Sequence, residues 1–293
     1  MASIRRANFS VTIAFTLIAP MTVWAVLNMS ARGTSAPLAS ARTTVAPNPS
    51  LVLPEPRSLP AVSLAEIAAR DPMELVRLGR EKYEREVRDY RCVLVKQELL
   101  PDGLTPVQEV ELRYRENPRS IYMIWKSNAT AARRALYMNA PQFVDSRGRP
   151  QARVEPHGTL VRLVTTDVYI PIHGPDARKT SRRTIDECGF ASTFTLFERY
   201  NALARERGVL NVRFAGTGEI DGRPTYVIQR ELPYEGPTGP YPDALMIMHI
   251  DQEYLLPVAV FSYADTAQKK LLGSYVFTKI ELNPQLGDDA FAF

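Results

Sequence analysis

The side chains that could do chemistry are few in this chain and far apart. There are three histidines, His157, His173 and His249. None stands at the His-x-x-x-His spacing that puts two imidazoles on one helix face, and none has a neighbouring Cys or carboxylate motif to complete a metal set. His157 and His173 sit beside glycine in loop-like stretches. His249 falls in an apolar strand, where a structural role outweighs a ligand role. Gly-x-Ser-x-Gly, the mark of a nucleophile elbow, is absent. Thr217-Gly218 and Gly236-Pro237-Thr238-Gly239 are turn chemistry and lack the pattern of a phosphate loop. Asp288-Asp289 is a carboxylate pair, but near the C-terminus, where a solvated cap explains it better than acid/base work. The expectation is a protein that is not an enzyme, with no catalytic residue, no metal and no cofactor.

What must be positioned, then, is apolar. The 293 residues are 45% hydrophobic and 23% charged, with a formal net charge of +4, ordinary values for a globular protein. The arginines are scattered and no basic helix interleaves with aromatics, so no nucleic acid partner is expected. Arg5 and Arg6 precede an apolar run from Phe9 to Leu27. That pattern is a signal peptide or an N-terminal membrane anchor, with the arginines cytoplasmic. The length of the run favours an anchor; Pro20 and the interspersed threonines weaken a span; Ala39-Ser40-Ala41 lies too far on for ordinary cleavage. Residues 32–62, rich in Ala, Ser, Thr and Pro, read as a disordered linker. The expected organisation is a leader or anchor at 1–31, the linker at 32–62, and a folded domain at 63–293 on the periplasmic side of the envelope.

The domain opens with helix signals. Ser63-Leu64-Ala65-Glu66 fits a capping box, and Asp71-Pro72 restarts a helix. Strand-like stretches follow at Asp89–Glu98, Val107–Arg115 and Ser120–Lys126, with weaker ones at Arg134–Met138 and Ala152–Glu155. Phe190 to Arg207 reads as a second helix, with Gly208 as its C-cap. The stretch from Glu219 to Phe291 is a long antiparallel meander turned first by Asp221-Gly222. Several strands are apolar on both faces, notably Ser120–Lys126, Leu245–Ile250 and Leu256–Tyr263. A half-wet sheet would alternate, so both faces need a cover. The expected fold is α+β: a large antiparallel sheet curled round two or more helices, with a closed barrel as runner-up.

Particular residues carry a family resemblance. Asp89-Tyr90-Arg91-Cys92 with Lys96 and Glu98, and Pro118-Arg119-Ser120-Ile121-Tyr122-Met123-Ile124-Trp125, resemble the domain-of-unknown-function family 1571 of bacterial envelope proteins. Ser181 to Phe190 is similar more loosely, and Tyr275-Val276-Phe277 through Leu282-Asn283-Pro284 to Phe291 resembles its closing strand. The match lapses between Ala140 and Thr180. The family's layout is similar to that of the LolA/LolB lipoprotein carriers and the N-terminal domain of RseB. The resemblance implies an unclosed β-barrel round helices with an apolar cavity for acyl chains. It transfers no individual binding residue.

Two functions follow as expectations. The first is a non-enzymatic envelope protein that binds a lipid or the acyl chain of a lipidated protein between sheet and helices. Tyr122, Ile124, Trp125, Met246, Met248, Phe261, Tyr263, Tyr275 and Phe277 are the candidate wall, each reading equally well as ordinary core. Methionines suit chains of variable shape because they repack easily. The second is an RseB-like sensor or protein-interaction module that holds an envelope protein partner. Cys92 and Cys188, the two cysteines, could meet in a disulfide if the second helix packs inside the sheet; two separate buried thiols are the alternative.

Overall fold

The structure, a computed structural model, describes residues 63–158 and 166–293. The expected leader or anchor at 1–31 and the linker at 32–62 lie outside the described residues.

Local chemistry starts both N-terminal helices. At α1 (Leu64–Arg70) the capping box is complete: the Glu66 N–H donates to Ser63 Oγ at 3.2 Å, and the Ser63 N–H donates to Glu66 Oε2 at 2.7 Å. Asp71 then accepts from the Met73 and Glu74 N–H groups to start α2 (Pro72–Glu86), with Pro72 at the first position, where it lacks nothing. Leu75, Val76, Gly79 and Tyr83 form the buried stripe of α2, while Arg77–Glu74 and Arg80–Glu84 pairs run along its wet side. Among the described residues no helix is long and apolar enough to cross a membrane.

Seven strands follow: β1 (Asp89–Leu100), β2 (Gly103–Leu104), β3 (Gln108–Arg115), β4 (Ser120–Ser127), β5 (Ala132–Met138), β6 (Gln151–Pro156) and β7 (Val168–Pro171). Helices α3 (Pro175–Thr180) and α4 (Phe190–Glu206) come after them. The meander then supplies β8 (Asn211–Ile220), β9 (Arg223–Glu231), β10 (Leu245–Asp251), β11 (Pro257–Tyr263) and β12 (Leu271–Leu282). The sheet is antiparallel throughout, in the order β7-β6-β5-β4-β3-β1-β12-β11-β10-β9-β8, with β2 attached to β1. The first long strand thus pairs with the last, and the edges β7 and β8 do not meet. One buried core joins Leu94, Leu112 and Met123 from one half of the sheet to Met248, Val258 and Phe277 from the other, with α2 and α4 between. The architecture is the expected α+β one, an unclosed sheet curled round helices.

Period-two alternation sorts each strand. On β4, Ile121, Met123 and Trp125 face the main core, while Tyr122 and Ile124 face outward. The outward cover is neither an α-helix nor a second sheet. It is the C-terminus itself: Tyr122, Leu136, Phe143 and Phe291 form a small outer core, joined by Ile124, Met138, Leu286 and Phe293. The Arg115 guanidinium lies 4.7 Å from the centre of the Phe291 ring, and those of Arg134 and Arg153 lie 4.7 and 4.6 Å from that of Phe293. Asp288, half of the C-terminal carboxylate pair, accepts from Arg115 at 2.8 Å and belongs to this clasp.

Candidate functional site

Helix α4 is set by an aromatic stack beneath its first turn. Tyr90 and Tyr114 stack with ring centres 4.8 Å apart, and Phe190 packs against Tyr90 at 4.6 Å and Phe277 at 4.9 Å. The Phe190 N–H donates to Tyr90 Oη at 3.3 Å. Gly189 precedes it with φ of 101°, and a Cβ there would lie 2.3 Å from that same Tyr90 oxygen. Only glycine tolerates both conditions. From this start the apolar stripe Phe190, Phe194 and Phe197 is buried against the sheet, each ring contributing roughly 1.5–3 kcal/mol.

The helix lies over the β11 side of the sheet, and the inner face of β5 and β6 carries the small residues Ala135 and Ala152. Between them is a cavity of about 320 Å³, at the lower end of ligand-site volumes, roughly 300–1,000 Å³. Met123, Trp125, Ala135, Ala152, Val154 and Ile170 form one wall, which is wholly apolar apart from the Trp125 N–H. That N–H donates to Gln108 Oε1 at 3.0 Å. Exposed Thr130, Asp176 and Thr180 mark the mouth.

The opposite wall is charged. Register carries Glu98 on β1 across Gly273 on β12, Ser262 on β11 and Met246 on β10 to Arg230 on β9, all facing inward. Lys96 Nζ donates to Glu98 Oε2 at 2.8 Å, and Tyr275 Oη donates to Glu98 Oε1 at 2.8 Å. Ser181 Oγ lies 3.0 Å from Glu98 Oε2. Gly273 gives the Tyr275 ring its space, since a Cβ would stand 3.1 Å from it. Burial alone would raise the Glu98 pKa, but the Lys96 charge and hydrogen bonds from Lys96, Tyr275 and Ser181 hold it below the ordinary carboxylate value. Burial, with the Glu98 charge beside it, pushes the Tyr275 hydroxyl far up. A second pair, Arg230 to Asp243 at 3.0 Å, is 2% and 1% exposed. Ser262 Oγ donates to Asp243 Oδ2 at 3.1 Å, and Arg230 also donates to Asn201 Oδ1 at 3.3 Å.

Of the residues expected to line a cavity, Trp125, Met246, Tyr275 and Phe277 do so. The other five do not line it. Tyr122 and Ile124 belong to the outer core beneath the C-terminus, because they alternate with Met123 and Trp125. Phe261 and Tyr263 likewise alternate with inward-facing Val260 and Ser262 on β11, and the Phe261 ring meets His249 edge-on at 6.0 Å. Met248 faces inward but is fully buried in the main core. Sequence reasoning missed Lys96, Glu98, Arg230 and Asp243. The signal for the first two was present: they share the period-two face of Tyr90, Cys92 and Leu94.

Cys92 and Cys188 are free thiols, with no disulfide between them in this structure. Burial pushes the Cys188 thiol up to about 12, and it also raises Cys92, with Cys188 adding to the effect. His173 Nε2 lies 3.4 Å from Asp186 Oδ2 on an exposed side chain outside the cavity lining. His249 Nδ1 is 3.0 Å from Thr225 Oγ1, and burial lowers its pKa. Among the described residues no three His, Cys, Asp or Glu side chains gather as a metal set.

No curated protein matches this chain. Among solved structures it is similar to MucB, at 14% identity and TM-score 0.44, covering 76% of this chain and 63% of that one. It thus spans less than two thirds of that chain. It is also similar to the lipoprotein LppX of Mycobacterium tuberculosis, at 12% identity and TM-score 0.38 over 74% of this chain and 98% of the other. A DUF1329 family protein from Desulfovibrio piger stands at 9% and 0.37, over 77% and 97%. A family model matches residues 87–293, most of the described domain, and the chain belongs to that family, the proteins of unknown function DUF1571.

Proposed function

We propose that this is a non-enzymatic envelope protein that holds a lipid, or the acyl chain of a lipidated protein, in the cavity between sheet and α4. The observation that carries the reading is the apolar wall of β4–β7. Its Ala135 and Ala152 leave a space of about 320 Å³ where larger residues would close the core. Interiors are otherwise filled nearly to crystal density, so an open cleft of that size with one apolar wall suits a ligand chain. A methylene chain entering it gains roughly 0.8 kcal/mol per buried CH₂. The N-terminal segment, as leader or anchor, would place the domain on the periplasmic side of the cytoplasmic membrane, with the linker as its tether.

The test is native mass spectrometry of the full chain purified from the envelope, with organic extraction of whatever it carries. Lipid is expected in the wild type and absent from a folded Ala135→Phe variant. A clean apo mass that takes up no added lipid or acyl peptide would overturn the reading. The weight would then move to a protein-interaction module. The open edges β7 and β8 favour that second reading, since an unpaired strand is a template for another chain and Tyr169 on β7 is 46% exposed.

A further inference from the structure

The charged wall holds three cations and three anions, and they are not equivalent. Lys96 is matched to Glu98 and Arg230 to Asp243. The third cation, Arg183, stands on the segment between α3 and α4 and lines the same cavity. It makes no hydrogen bond and no ion pair with any described residue. Its side chain is half-buried and lines the cavity. The third anion, Glu187, does not supply the missing acceptor: its carboxylate takes the Thr184 N–H at 3.2 Å. Arg182, next along the chain, is spent on the Pro242 carbonyl.

A guanidinium carries five N–H donors in a planar fork, and leaving them without acceptors inside a protein is unfavourable. Burial opposes the charge of Arg183, yet nearby Tyr275, Glu187, Tyr200 and Asp243 more than offset it, so the group stays cationic. Arg230, which lines the same cavity, has its Nε buried without a partner. Unused donors therefore gather on the charged side of the cavity, opposite the wall built from alanine, valine and isoleucine. A fully apolar ligand would leave these donors unmet.

We propose that Arg183 is the head-group anchor of the cavity, and that the ligand is an amphiphile with an anionic head, carboxylate or phosphate, on an apolar chain. The planar fork fits such oxygens two at a time, while the chain lies along Trp125, Ala135 and Ala152. This inference rests on the proposed function and deepens it by naming the ligand class.

The test compares three probes on the full chain by isothermal titration calorimetry: hexadecanoate, hexadecanol of the same chain length, and inorganic phosphate. In the wild type hexadecanoate should bind about tenfold or more tightly than hexadecanol, the ratio one charge-assisted contact supplies, and phosphate alone should not bind measurably. Arg183→Gln should bring that ratio to about one, and Arg183→Lys should restore part of it. Circular dichroism checks that both variants are folded. Equal binding of the two chains by the wild type, or a ratio unmoved by Arg183→Gln, would overturn the head-group role and leave the cavity reading intact. Arg183-dependent binding of phosphate without either chain would overturn it in favour of a free anion site. Binding of none of the three would overturn the cavity reading and this inference with it.

Discussion

The two walls of the cavity come from the same sheet and are built on opposite principles. The β4–β7 wall presents Ala135, Ala152, Val154 and Ile170, with Trp125 as its one hydrogen-bonded side chain. The wall of β1 and β9–β12 presents Lys96, Glu98, Ser262, Arg230 and Tyr275. Apolar lining needs no partners, so its residues could be small without leaving anything unsatisfied. Charged lining must be matched almost atom for atom, because a lone buried ion is disfavoured by several kcal/mol. A buried ion pair seldom adds net stability over well-packed apolar residues. On the proposed reading, two such pairs on one wall of one cavity serve what the cavity holds rather than the fold. The difference teaches where volume and where specificity reside: volume on the alanine side, discrimination on the charged side.

The sharpest way to break this contrast is to unmatch the charged wall. Glu98→Met leaves Lys96 buried beside Ser181 alone, and urea unfolding should show a loss of roughly 3–5 kcal/mol. The double variant Lys96→Met with Glu98→Met should recover most of it, or exceed the wild type. A double variant as unstable as the single one would mean that the pair holds the fold itself.

A second substitution tests whether the outward face is separate from both walls. Phe291→Ala empties the outer core beneath the C-terminal clasp and should cost about 3 kcal/mol without altering lipid uptake. Loss of uptake in a folded Phe291→Ala protein would show that the clasp and the cavity are coupled.

On the apolar wall, Ala152→Phe should change stability by no more than ~1–3 kcal/mol, because its ring enters space that is already open, yet it should abolish chain binding. Retained binding would mean that the ligand does not use the β4–β7 side.

The smallest expected effect is in acid. Glu98 is held below the ordinary value of 4.5 in the folded protein. Its cluster therefore contributes stability that is full above about pH 4.5 and is lost as pH falls through the folded pKa. Chemical unfolding from pH 7 to 3 should steepen below 4.5 in the wild type and less so in the Lys96→Met, Glu98→Met double variant. Parallel profiles would show that other carboxylates dominate acid unfolding.

Much of the fold was legible before any coordinates. The capping box at Ser63, the restart at Asp71-Pro72, the turn at Asp221-Gly222 and the helix after Gly189 depend on neighbours a few residues apart, and each formed where expected. The strands apolar on both faces did announce a second cover. The candidate wall fared less well, since four of its nine residues line the cavity and the rest do not. Bulk and apolarity were the criteria used, and they are blind to face. Alternation along β4 and β11 divides such residues between two cores, and which set faces inward depends on the curl of the whole sheet.

By itself, then, the sequence determined the helices, the strands, their turns and the need to bury both faces, because capping, alternation and turn chemistry are local. Only the tertiary structure decided that the chain's last residues, rather than an α-helix, cover the outer face of β4. It also decided that Glu98 and Arg230, far apart in sequence, lie in one inward row across β1, β12, β11, β10 and β9. A strand's pattern states that a residue faces one side or the other. Which residues of distant strands share that side at the same height is set by register and closure, and those arise only when β1 pairs with β12.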